Sequence, residues 1–174
     1  HYAPLLEARY KLGLPPGAMA EMQDDELLEA IALQAEGLID GGADAFLVET
    51  SQDLLQTKAA INGFKQAIVA RGIRLPIFVE VTVETTGTML LGSDIGAALT
   101  ALQPLGIDMI GLNCATGPAE MSEHLRYLSK HARIPVSVMP NAGLPVLGKN
   151  GAEYPLTPEE LVTGPPCSDS MVTS

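Results

Sequence analysis

The chain reads as an α/β protein on parallel strands, and more narrowly as an incomplete (β/α)8 TIM barrel. Three observations predict this. Four short apolar runs each lead into a polar residue, and each is followed by a stretch with helical periodicity. The runs start 31, 31 and 27 residues apart, about one strand-plus-helix unit each. Alternation of this kind gives a parallel sheet with covering helices.

The first strand is read at 45–49 (Ala-Phe-Leu-Val-Glu), entered from the turn signal Gly41-Gly42. The second spans 76–83, the third 107–112 and the fourth 134–139. Between them lie the helices. From Asp24 or Asp25 as N-cap, Leu28, Ile31, Ala35, Leu38 and Ile39 share one face. The segment 53–69 carries Leu54, Leu55, Ala59, Ile61 and Ile68 and stops near Gly72. Ser93 is placed as the cap of a third helix that turns Ile95, Ala98, Leu99 and Leu102 inward. Gly117-Pro118 opens a fourth, because Pro is tolerated in a first helical turn, and Leu125 and Leu128 form its apolar side. Thr157-Pro158-Glu159-Glu160 has capping-box spacing and starts a fifth.

Four strands fall short of the roughly 250 residues of a closed eight-unit barrel. With His1 in the first position and a polar, Pro-rich end, the chain is expected to be a stretch of a larger barrel. Residues 23–162 are assigned to this partial barrel, 163–174 to an irregular tail, and 1–22 resist assignment.

Composition narrows the function. Of 174 residues, 47% are hydrophobic and 18% charged, enough apolar content for one sizeable core. Ten Lys and Arg face 21 Asp and Glu, a net charge of -11 that repels polyanions, so nucleic acid and anionic membranes are poor partners. No apolar stretch approaches the roughly 18 residues of a membrane span, and the amino terminus lacks a signal-peptide pattern. Two cysteines make no disulfide framework, and the expected setting is a reducing cytoplasm.

Polar residues collect at the carboxyl ends of the strands. Glu49 closes the first, Glu80 and Glu84 flank the end of the second, Asn113 and Cys114 follow the third, and Asn141 follows the fourth after Pro140. In a barrel that rim is the catalytic face, and a thiol there can serve as nucleophile or metal ligand. Each has a plainer reading. Cys114 could be a small buried hydrophobe, and Glu49 a helix cap. Thr82 and Glu84 alternate with apolar neighbours as on a solvated strand edge, and Asn141-Ala142-Gly143-Leu144-Pro145 alone is an ordinary loop.

Four ordered motifs add a family likeness: Asp40-Gly-Gly-Ala-Asp44 leading into Leu47-Val-Glu-Thr50; Gly111-Leu-Asn-Cys114 before Gly117-Pro118; Pro140-Asn-Ala-Gly143; and Tyr154-Pro-Leu-Thr-Pro158. From about Glu26 to Val162 the chain resembles the homocysteine-binding barrel of the homocysteine S-methyltransferases, most of all the cobalamin-dependent members that make methionine. The resemblance implies that the strands are the fourth to seventh of eight. It also implies a zinc site in which Cys114 is one of three ligands and the thiol of homocysteine takes the open position as a thiolate. Glu49 then binds the substrate's amino group, with Asn113 and Asn141 behind it or at the rim. Cobalamin is the implied methyl carrier, bound by other domains, so the implied partners are homocysteine and a methyl-donor domain.

The chain departs from the family pattern in its zinc ligands, and the family's first three strands are absent as well. The other two zinc ligands of the family are adjacent cysteines in a Gly-Gly-Cys-Cys-Gly segment, which is absent, and Cys167 has neither the doublet nor a preceding strand. His124 and His131 lie two turns apart on the fourth helix and are placed on solvent or packing faces. With one ligand of three, the 174 residues are expected to bind zinc weakly and catalyse little. Two alternatives stand beside this: another barrel enzyme of pterin-binding or lyase type, for which a phosphate loop or strand-end lysine is missing, and a non-catalytic barrel remnant acting as an interaction module.

Overall fold

The computed structural model describes residues 24–148 and 151–163. Residues 1–22, Cys167 and most of the expected tail lie outside the described residues.

The elements follow the predicted alternation: α1 (Asp24–Asp40), β1 (Phe46–Ser51), α2 (Leu54–Arg71), β2 (Ile77–Val81), α3 (Ile95–Leu102), a 3-10 turn (Gln103–Leu105), β3 (Met109–Asn113), α4 (Pro118–His131) and β4 (Val136–Met139). The strands order β1-β2-β3-β4 in one sheet. Chain order equals sheet order, so each strand lies beside the next one in sequence. Pairing of β3 with β4 is parallel, with Gly111 opposite Ser137 and Asn113 opposite Met139. The chain is thus an α/β fold with a parallel sheet.

Two compact units divide it. One holds the described residues to Val48 together with Leu55–Phe78, and the other holds Glu49–Leu54 and the described residues from Val79 onward. In the first, Phe46 stacks on Phe64 of α2 at 4.4 Å between ring centres. Gly63 lets α1 come close, since a Cβ there would meet the Ile31 side chain at 2.7 Å. Arg71 pairs with Asp40 at 2.7 Å, which links the end of α2 to the end of α1. The face foreseen for α2 is shifted. Ile61 is buried, but Thr57, Gly63, Phe64 and Ala67 join it and Leu55 is exposed.

In the second unit the strands alternate strictly, as a pleated backbone requires. Val79, Val81, Ile110 and Leu112 are fully buried on one face, and the other face carries Glu80, Thr82, Gly111, Asn113 and Ser137. Ile95, Ala98, Leu99 and Leu102 of α3 and Leu125 and Leu128 of α4 are buried as the periodicity predicted. Fully burying each such Leu contributes about 1.5–3 kcal/mol.

Caps and ends differ in detail. Asp94, not Ser93, caps α3, its carboxylate accepting from the Ala97 amide at 2.7 Å. An aspartate one residue nearer the helix satisfies the same orphan donor. The box at Thr157 holds: the Thr157 amide donates to Glu160 at 2.8 Å and the Glu160 amide to Thr157 Oγ1 at 3.3 Å. It opens a short helix α5 (Pro158–Thr163). A small antiparallel pair, β5 (Val146–Gly148) and β6 (Gly151–Glu153), stands where the sequence predicted no element. Its three-residue strands are too short to show a period of two.

Candidate functional site

Strand ends build the site, and the backbone there is under tension. Among the described residues only Thr50, Cys114 and Ala115 are non-glycine residues with positive φ, at 56°, 58° and 56°. All three stand at the carboxyl ends of β1 and β3. Such a conformation is an outlier for a β-branched residue, costs on the order of 1–3 kcal/mol, and gathers at functional sites.

Hydrogen bonds hold it. Asn113 Nδ2 donates to Thr50 Oγ1 at 2.7 Å, and Thr82 Oγ1 donates to Asn113 Oδ1 at 3.1 Å. Asn113 is 4% exposed and Thr82 1%, so this cross-strand chain joins the ends of β1, β2 and β3 largely out of water. Thr82 is therefore not the solvated edge its alternation suggested. Glu84 is half-buried and accepts from Gln52 Nε2 at 3.3 Å. Neither Thr50 nor Thr82 stands out as a site residue in the sequence, because threonine is enriched in β-strands whether or not they bind anything.

Cys114 is a free, exposed cysteine directly after β3. Its amide donates to the Met139 carbonyl at 3.1 Å, continuing the β3–β4 ladder one residue past the strands, and the Thr116 amide bonds back to its carbonyl at 2.6 Å. Burial as a small core hydrophobe is thereby excluded. Glu49, on β1, is exposed as well. Asn141 is half-buried, its amide donating to the Thr116 carbonyl at 3.1 Å, so the loops after β3 and β4 are tied together. Glycine is needed where these loops meet. A Cβ on Gly117 would lie 2.9 Å from the Gly143 Cα, and one on Gly143, whose φ is 86°, would lie 2.8 Å from Pro155. Three of the sequence motifs, at 117, 143 and 155, are thus one packing arrangement.

Deeper on the same face is Glu80, which the sequence placed at the strand end without a role. Glu80 is 1% exposed; Ser137 Oγ donates to its Oε1 at 2.5 Å, while Oε2 is buried with no hydrogen-bond partner among the described residues. The bond crosses β3 over Gly111, where a Cβ would overlap Ser137. Burial raises the Glu80 pKa above the usual carboxylate range, the Ser137 bond opposes the shift, and the charge of Glu49 adds to it. The sign of the consequence is fixed by linkage. A raised acid pKa costs the folded state nothing below the unfolded pKa, and stability falls as pH rises from there to the folded pKa. Glu80→Gln is expected to flatten that fall in urea midpoints measured against pH; a wild-type slope in the variant would remove Glu80 as its source.

One residue at the rim has the chemistry of a metal ligand. Cys114 is a soft donor open to the rim, which suits zinc. Among the described residues no group of three His, Cys, Asp or Glu converges that could complete a site. His124 lines a cleft of about 780 Å³ between α3 and α4 with Tyr127 and Glu123, and burial lowers its pKa. The His131 ring lies 4.4 Å from that of Tyr127. Packing roles for both agree with their helix positions. No helix among the described residues is long and apolar enough to cross a membrane.

Fold and rim together define a strand-helix repeat protein whose polar groups gather at the carboxyl ends of parallel strands. A homocysteine S-methyltransferase family model matches residues 2–166. The chain belongs to that family. It is 66% identical over 158 residues to the methionine synthase of Mycobacterium leprae (strain TN) and 65% identical over the same length to that of Mycobacterium tuberculosis (strain ATCC 25618 / H37Rv). Each match covers 88% of this chain and 13% of the relative, so the chain spans about an eighth of the length of these proteins. Among solved structures, the apo homocysteine methyltransferase MmuM from Escherichia coli is similar in fold, with a TM-score of 0.59 and 20% identity over 74% of this chain and 47% of that one. Its metallated form gives 0.55 and 21%, over 67% of this chain and 40% of that one.

Proposed function

We propose that this chain is part of a homocysteine S-methyltransferase that makes methionine, and that it carries the face on which homocysteine is held. The observation that carries this is the placement of Glu49, Asn113 and Cys114 at the carboxyl ends of β1 and β3 of one sheet, in a chain about two-thirds identical to methionine synthases. In this proposal the four parallel strands are the fourth to seventh of a (β/α)8 barrel. The fold likeness to MmuM, which uses less than half of that chain, supports it.

Glu49 binds the ammonium of homocysteine. A carboxylate on an ammonium is a charge-assisted hydrogen bond, and it gains strength as bound substrate displaces water from the exposed rim. Cys114 supplies one ligand to zinc, with the remaining ligands outside the described residues. When bound, zinc supplies a Lewis acid that holds a thiol deprotonated near neutral pH. Asn113 acts from behind the rim, its amide oxygen and one N–H already spent on Thr82 and Thr50. Asn141 holds the neighbouring loop edge. The methyl donor is methylcobalamin, presented by another domain, and the setting is the cytoplasm, where an exposed thiol stays reduced.

The test is methionine formation by the complete protein that carries this chain. Glu49→Gln is expected to lower kcat/KM for homocysteine about 10- to 100-fold, the worth of one hydrogen bond to a charged group. An unchanged KM in that variant, or no homocysteine-dependent methionine from the wild type, would refute the proposal.

A further inference from the structure

We infer that Thr50 is a positioning residue for Glu49: its hydroxyl, gripped by Asn113, holds the end of β1 in the left-handed turn that sets the direction of the substrate-binding carboxylate. The inference rests on the homocysteine reading of Glu49 and goes beyond it to what aims that side chain.

In a regular strand Glu49 would be followed by another extended residue, and side chains would continue to alternate. Instead Thr50 has φ 56°, a conformation that threonine adopts rarely because its two Cβ substituents crowd the backbone. β1 remains paired at that point, since the Thr82 amide donates to the Ser51 carbonyl at 2.9 Å, so the turn is held within the sheet rather than being a frayed end. The 2.7 Å bond from Asn113 Nδ2 fixes the Thr50 side chain, and Thr82 fixes Asn113 in turn. The same Asn113 immediately precedes Cys114, itself left-handed at φ 58°. One buried amide therefore ties the residue after Glu49 to the residue before Cys114. The distance between the two substrate-facing groups is thereby set by a side-chain hydrogen bond and two turned backbones, not by strand pairing alone. A residue in this place alters how well the substrate is held more than how fast it reacts once seated.

The experiment is steady-state kinetics of the complete protein with homocysteine varied, for the wild type and for Glu49→Gln, Thr50→Val, Thr50→Gly and Thr50→Ser. Thr50→Val keeps the shape and removes the hydroxyl. It is expected to raise KM for homocysteine about tenfold, the equivalent of one hydrogen bond, with kcat and the KM of the methyl donor within about twofold of wild type. Thr50→Ser, which keeps the hydroxyl, recovers most of the loss. Thr50→Gly accepts the left-handed backbone without strain but lacks the hydroxyl, and gives the same split, so it decides the matter if Thr50→Val is insoluble. A raised homocysteine KM in Glu49→Gln with a wild-type KM in both Thr50→Val and Thr50→Gly overturns the role of Thr50 alone. Equal losses in kcat and in both KM values, or a Thr50→Ser as impaired as Thr50→Val, also overturn it. An unaltered homocysteine KM in Glu49→Gln overturns the reading on which it rests.

Discussion

Replacing Cys114 by Ser in the complete protein is expected to abolish methyl transfer, by more than about 100-fold in kcat/KM, because even loss of a residue behind a metal ligand costs 10- to 100-fold. A hydroxyl is a hard, poorly ionised donor where zinc prefers thiolate. The fold has little reason to object. Cys114 is exposed, and its structural contributions are backbone bonds, the amide to the Met139 carbonyl and the carbonyl to the Thr116 amide, which serine reproduces. Loss of activity should therefore come with loss of bound zinc and an unchanged circular dichroism spectrum. Retained zinc and retained methionine formation would show that the thiol is not a ligand.

Gly111→Ala should be the most damaging small substitution in the sheet, at about 2–5 kcal/mol. A single methyl group at Gly111 would come within 2.7 Å of the Ser137 carbonyl oxygen and overlap its hydroxyl. Two costs add. Overpacking in a paired strand forces the backbone to shift, and displacement of Ser137 leaves Glu80 with neither oxygen bonded, since Oε2 already lacks a partner. The urea midpoint of this chain, followed by circular dichroism, reads the loss directly. A midpoint within error of wild type would mean that the space above Gly111 is not filled as described.

Much of the fold was legible because the relevant signals are local. The apolar runs at 76–83 and 107–112 contain β2 and most of β3, and the inward residues of α3 came out as the 3.6-residue period placed them. Gly117, Pro118 and the Thr157 box mark helix starts by chemistry that acts within one turn. Strand ends were less readable. Thr50 and Ser51 extend β1 past Glu49 because Thr82 pairs there, a contact 31 residues away in sequence that no local pattern announces.

The site divides along the same line. Glu49, Asn113, Cys114 and Asn141 could be named from strand-end position and family motifs, and the structure places all four at strand ends or the loops just beyond them. Glu80 and Thr82 could not be ranked, since alternation gives a strand's two faces without saying whether the polar one meets water. Here it does not. Asn113 from the neighbouring β3 and Ser137 from β4, one strand further on, bond them, and the glycine at 111 that makes room for the Glu80 bond is visible as important only once Ser137 is opposite it.

The measurement that bears most directly on the proposed homocysteine-binding face is a crystal structure of the complete protein with homocysteine bound. The amino group should lie within hydrogen-bond distance of Glu49, about 2.7–2.9 Å for a charge-assisted bond, with the sulfur turned toward Cys114 and a metal between them. Homocysteine bound elsewhere, or seated with its amino group away from Glu49 and its sulfur away from Cys114, would contradict the assignment of this strand-end face.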